Sequence, residues 1–209
     1  MAEGARDADL ALLEAWREGD GAAGERLFAR HFKPIYRFFR SKLDDATAED
    51  LTQATFTACV DGRDRFKGHS SFRTYAYAVA RNQLYMHLRK KGRGEKVFSP
   101  ESASVADFGP SPGTMAAAKQ EQKLLFEALR RLPVQMQIAI ELYYWEGLST
   151  VELAAVLDVA EGTARSRLAR AREKLGEIIE ELAASPEMAK RTTAKFEDWA
   201  ASLKKLLEG

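Results

Sequence analysis

Apolar residues recur at three- and four-residue spacing along most of the chain, and this period predicts helices. In ADLALLEAWREGD, Leu10, Leu13 and Trp16 share one side of a helix that stops at the glycine-rich break GDGAAG. ERLFARHFKPIYRFFRSKL repeats the pattern, with Leu27, Phe28, Phe32, Ile35, Tyr36, Phe39 and Leu43 as a core-facing stripe. TAEDLTQATFTACV predicts a third helix with Thr47 as its N-cap and acidic residues in its first turn. SSFRTYAYAVARNQLYMHLRKK predicts a long fourth helix capped by Ser70 or Ser71. No alternating pattern of useful length appears, so the chain reads as all-α.

The pattern lapses in GRGEKVFSPESASVADFGPSPGT, where Gly, Pro and Ser replace large apolar residues. This reads as a flexible linker, 92–114, between a first helical domain (1–91) and a second (115–178). Within the second, LSTVELAAVLDVAEGTARSRLARAREKL has the form of a helix-turn-helix: Ser149 and Glu152 make a capping box, DVA makes the turn, and a second helix starts near Gly162. On that second helix Ala164, Leu168, Ala171 and Leu175 fall within about 60° of one another, a narrow stripe for the core. Arg165 and Arg172 then border one side of the stripe, Arg167 and Lys174 the other. Ser166, Ala169 and Arg170 point away.

Charge gives that outward face a meaning. The 209 residues carry a formal net charge of only +1, but it is segregated. From Asp61 to Arg93 nine basic residues stand against two acidic ones, and from Glu161 to Leu175 five stand against two. Two separate basic patches suggest a polyanion held at two places. Border arginines suit phosphates on either side of a major groove and outermost residues suit base edges, so the helix reads as a DNA-recognition helix. The competing reading is a surface helix with internal ion pairs, for which Glu173 is the available acid.

Other chemistry finds little support. One cysteine, Cys59, cannot form an intrachain disulfide, and His31, His69 and His87 lack zinc-site spacing. No metal and no cofactor are expected. Neither a glycine-rich phosphate loop nor a nucleophile motif occurs, so an enzyme is not expected. The opening MAEGARDADL lacks the features of a signal peptide and no apolar run is long enough to span a membrane, which makes the cytoplasm the expected compartment, without membrane insertion.

Taken together, LFARHFKPIYRFFRSKL, AEDLTQATF and DRFKGHSSFRTYAYAVARNQLYMHLRKK resemble region 2 of extracytoplasmic-function (ECF) bacterial RNA polymerase sigma factors. RLPVQMQIAIELYYWEGLSTVELAAVLDVAEGTARSRLARAREKL resembles their region 4, and the likeness runs from about Asp9 to Leu175 with a linker where the family has one. The resemblance implies a subunit that binds core polymerase and directs promoter-specific initiation. It places Glu49, Asp50 and Gln53 against the coiled coil of the largest polymerase subunit, with the flap as a further core contact. It implies that Lys67, His69 and Ser70 line a pocket for an extruded base of the −10 element. Phe72, Tyr75 and Tyr77 are stacking or wedge candidates there, with Arg73, Arg81, Arg89 and Lys90 on phosphates. Some of these aromatics fill the core instead, and Phe72 and Tyr75 are favoured for that because they begin the apolar stripe continued by Val79.

Arg165, Ser166, Arg167, Ala169, Arg170 and Arg172 would read the −35 element, with Arg170 the foremost candidate for a guanine. Promoter DNA is thus a partner, and the family leaves room for an inhibitory anti-sigma protein. Departures from the family pattern are Tyr75 for a common tryptophan, Ala54 and Met86 for common acids, and Asp158 for the usual turn glycine. The last is a change that Asp accommodates in a left-handed conformation.

Residues 179–209 lie outside the resemblance. Ser185 and Pro186 mark a fresh helix start, and Phe196, Trp199, Leu203 and Leu206 form an amphipathic stripe. This C-terminal helical extension is expected to dock on a sigma domain, to receive a regulator, or simply to cap the second domain. Two rival functions are a stand-alone DNA-binding regulator, which leaves the basic stretch 61–93 unexplained, and an enzyme acting on nucleic acid.

Overall fold

The computed structural model describes residues 2–63, 66, 68, 70–91, 98–108 and 118–208, the side chains of 2–6, 199, 206 and 208 excepted. Helices α1 (Ala2–Arg17) and α2 (Gly21–Arg40) form a hairpin. Asp20 caps α2 by accepting the Ala23 N–H at 3.1 Å. A Cβ at Gly24 would lie 2.7 Å from the Trp16 ring, so glycine lets the indole rest on α2.

Helix α3 (Asp45–Asp61) begins earlier than expected. Its cap is Asp44, whose carboxylate accepts both the N–H and the hydroxyl of Thr47 at 2.9 Å, so Thr47 lies inside the first turn. A carboxylate satisfies the same orphan donor and also favours the positive helix end. These bonds hold the Asp44 carboxyl below its ordinary range. Helix α4 (Phe72–Lys91) starts after Ser71, whose hydroxyl accepts the Thr74 N–H at 3.1 Å.

Leu13, Leu27, Ile35, Phe39, Phe72, Leu84 and Leu88 fill the core of these four helices, each contributing roughly 1.5–3 kcal/mol on burial. Phe32 departs from the expected stripe: it is 40% exposed and stacks on Tyr36 and Phe56 at the margin.

The second domain comprises α5 (Gln120–Arg131), α6 (Val134–Ile140), α7 (Thr150–Leu157) and α8 (Glu161–Leu182). Helix α6 runs into a π turn, Glu141–Trp145. Two more helices follow, α9 (Pro186–Ala194) and α10 (Phe196–Glu208). Ser185 caps α9 as its sequence suggests, accepting the Met188 N–H at 3.2 Å with Pro186 in the first turn. Among the described residues no strand forms, only an isolated bridge between Ser104 and Pro133.

The described part of the linker, 98–108, touches both domains. Phe98 is buried with its ring 5.7 Å from Tyr85 of α4, and the Val134 N–H donates to the Ala103 carbonyl at 2.9 Å. The domains also meet directly, α4 against α7, while α10 lies on α5, the π turn and α2. No helix among the described residues is long and apolar enough to cross a membrane.

Candidate nucleic-acid interface

The helix-turn-helix is built by local rules. Ser149 accepts the Glu152 N–H at 3.2 Å and donates its own N–H to the Glu152 carboxylate at 2.9 Å, closing the capping box at the start of α7. Asp158 ends α7 at φ 57° and ψ 52°, the left-handed conformation its position demands. The chain can then reverse into α8 within three residues.

On α8 the stripe Ala164, Leu168, Ala171 and Leu175 is buried, continued by Ile178 and Ile179. Arg165, Ser166, Ala169, Arg170 and Arg172 are exposed on the opposite surface, whereas Arg167 is half-buried. Charge near Arg167 comes from Glu101, and Tyr85 lies close enough for its phenol to feel the guanidinium. Arg165 pairs with Glu161 at 2.7 Å, but at 69% and 42% side-chain exposure such a pair is easily exchanged for a phosphate. Arg170 donates to the Ser166 carbonyl at 3.4 Å, and the Arg172 guanidinium sits 5.8 Å from the Tyr144 ring centre.

The residues expected at the −10 element are divided. Lys67 and His69 lie outside the described residues. Ser70 is half-buried, and Arg89 and Lys90 are exposed at the end of α4. Arg73 and Arg81 are instead engaged by the second domain: Arg73 donates to the Glu146 carbonyl, and Arg81 Nη1 donates to the Val156 carbonyl at 2.6 Å.

Tyr77 corrects the expectation of an accessible stacking ring, because it is fully buried, edge-on to Phe38 at 5.9 Å. Burial, then the nearby Glu146 carboxylate, pushes its phenol well up, and among the described residues its hydroxyl has no hydrogen-bond partner of good geometry. Tyr75, placed in the core by sequence, is the less buried of the two. Phe72 is buried as expected. On α3, Glu49, Asp50 and Gln53 are all exposed and share one side of the helix.

Sequence reasoning missed the acids that join the domains. Glu141 is buried and paired with Lys42, with Gln137 donating to it at 2.9 Å and Ser41 at 3.1 Å. Burial pulls the Lys42 ammonium below the ordinary lysine range, and Glu141 opposes that pull. Glu146 accepts Arg37 at 3.0 and 2.5 Å and lies 3.4 Å from Arg73 and 3.9 Å from Lys204. The available signal was two acids spaced through the apolar run IAIELYYWEG. Among the described residues no group of three or more His, Cys, Asp or Glu side chains could hold a metal ion.

Comparison with known proteins matches residues 27–94 to the family model for sigma-70 region 2 and residues 122–175 to that for sigma-70 region 4. The chain is 28% identical over 183 residues to an ECF RNA polymerase sigma-E factor of Haemophilus influenzae, covering 83% of this chain and 96% of that one. It is 26% identical over 182 residues to the protein of that name in Escherichia coli, covering 83% and 95%.

Among solved structures it is similar to the sigma factor RpoE in complex with the anti-sigma factor NepR from Bartonella quintana. There the TM-score is 0.53 and the identity 28%, over 73% of this chain and 94% of that one. CnrH in complex with the cytosolic domain of CnrY shares the fold, with TM-score 0.58 at 21% identity over 84% and 99% of the two chains.

Proposed function

This chain belongs to the ECF-type sigma factors of bacterial RNA polymerase, which bind the core enzyme and direct promoter-specific initiation, and from that premise we propose how its residues divide the work. Residues 1–91 form the unit that docks on core polymerase and opens the −10 element. Residues 115–178 form the unit that reads the −35 element, joined to the first by 92–114 and followed by the extension 179–209.

The outward face of α8 carries the second assignment: an apolar stripe turned inward leaves Arg165, Ser166, Ala169, Arg170 and Arg172 turned out. Arg170 takes a guanine edge bidentately, worth about 1–3 kcal/mol of discrimination. Arg165, Arg167 and Arg172 hold phosphates that fix the register of the helix. Arg89 and Lys90, with Arg73 and Arg81 once released, follow the backbone of the melted −10 strand, and Lys67, His69 and Ser70 receive its extruded base. Tyr77 joins them only after the domains part.

Glu49, Asp50 and Gln53 meet the coiled coil of the largest polymerase subunit, and the flap receives the second domain. The protein works in the cytoplasm as a binding subunit without chemistry of its own. An anti-sigma protein is the kind of regulator this chain would receive, because RpoE from Bartonella quintana is found with one.

Fluorescence anisotropy on a labelled duplex carrying both elements tests this reading. Binding that requires core polymerase supports it. Tight, sequence-specific binding by the chain alone, unchanged by core, would establish a stand-alone regulator instead.

A further inference from the structure

The segment after Leu175 lies beyond both matched regions, yet it ties the two domains together. Leu203 and Leu207 of α10 are buried, and the Phe196 ring meets Tyr144 edge-on at 4.9 Å. Lys204 donates to the Trp145 carbonyl, and Arg40 of α2 donates to the Leu207 carbonyl at 3.2 Å. The helix therefore holds the π turn of the second domain with one side chain and is held by the first domain at its end.

All three parts of the chain converge on Glu146. Its side chain is 7% exposed and serves as counter-charge to Arg37 of α2, Arg73 of α4 and Lys204 of α10. The consequence falls on the face of α4. Arg73 and Arg81 spend donors on the Glu146 and Val156 carbonyls, Tyr77 is covered, and α7 lies against α4. A DNA phosphate would compete for the same guanidiniums and would meet a carboxylate beside them.

We propose that α10 clasps the two domains shut through Glu146, so that the free chain inhibits itself and exposes the −10-reading face of α4 only when the domains separate. This rests on the assignment of Arg73 and Arg81 to the −10 strand. A chain whose competent state is a minority binds with an affinity reduced by that fraction, and weakening the clasp raises the fraction.

The test uses full-length Glu146→Gln and Lys204→Glu, the second being a partly exposed position outside the DNA-reading and core-docking sets. Small-angle scattering of the free chain should show a larger radius of gyration for both variants. With core polymerase at sub-saturating sigma, open complexes should form faster, on the order of tenfold. If Glu146→Gln compromises folding, Lys204→Glu alone decides.

An unchanged radius of gyration overturns the clasp, and so does an expanded variant that opens promoters no faster than the parent. Arg89→Ala probes the underlying assignment separately. If it leaves promoter opening unchanged in every background, the −10 reading fails whatever the scattering shows.

Discussion

Arg37 in α2 and Glu146, 109 residues later at the end of the π turn, form a buried pair in which guanidinium Nε and Nη2 both donate to Oε1, at 3.0 and 2.5 Å. Both side chains are nearly sealed from water, at 5% and 7% exposure. Desolvating two charges offsets much of their attraction, so such a pair adds little stability. What it does fix is geometry, because a planar guanidinium accepts few arrangements. The docking of one domain on the other is thus set by a small number of directional contacts.

Lys42 and Glu141 form the second such pair, at 0% and 2% side-chain exposure. Lys42→Met alone leaves Glu141 buried without its ammonium and should destabilise the chain by about 3–5 kcal/mol, since the lone charge has no water to turn to. The double variant Lys42→Met/Glu141→Met removes both charges and should recover most of that loss. Chemical denaturation of the three proteins checks the order.

For the DNA-reading face, Arg170→Ala should cost about 1–3 kcal/mol at one base pair of the −35 element and relax preference there. Arg172→Ala should instead weaken binding across all sequences and reduce the salt slope of log K by about 1. Binding of holoenzyme to a panel of −35 variants at several salt concentrations separates the two roles.

On the docking face, Glu49→Lys and Asp50→Lys reverse charge at exposed positions of α3. Each should weaken core binding by about tenfold or more while leaving the melting temperature within a few degrees, because surface substitutions there disturb no packing. Competition against a labelled parent chain for limiting core reads the loss.

Burial pushes the Cys59 thiol up to about 12. The folded chain should therefore resist alkylation at pH 8, whereas denaturant exposes a fast-reacting thiol, because the thiolate is the nucleophile. A folded pKa above the unfolded one adds stability that is complete below the ordinary thiol value. That stability is lost as pH rises from there through about 12. A thiol count by Ellman's reagent, native against denatured, checks the reactivity.

What the sequence made legible was local. The stripe Ala164, Leu168, Ala171 and Leu175 is a matter of 3.6-residue period, and Asp158 in the left-handed turn follows from the three-residue reversal between α7 and α8. Asp44 displaced Thr47 as cap because two good acceptors stood three residues apart and spacing alone could not rank them.

The burial of Tyr77 was not legible for a different reason. Its ring packs on Phe38 and its phenol lies near Glu146, a residue far along the chain whose approach no periodicity encodes. The partners of Glu146 were not legible for the same reason, since nothing near it in sequence announces Arg37, Arg73 or Lys204.

Run-off transcription from a pool of random promoters, with purified core polymerase in the presence and absence of this chain, tests the central claim most directly. The account predicts new start sites preceded by two spaced sequence elements, with Arg170→Ala relaxing preference at the upstream one. Start sites that are the same with and without the chain, despite its binding to core, would contradict it.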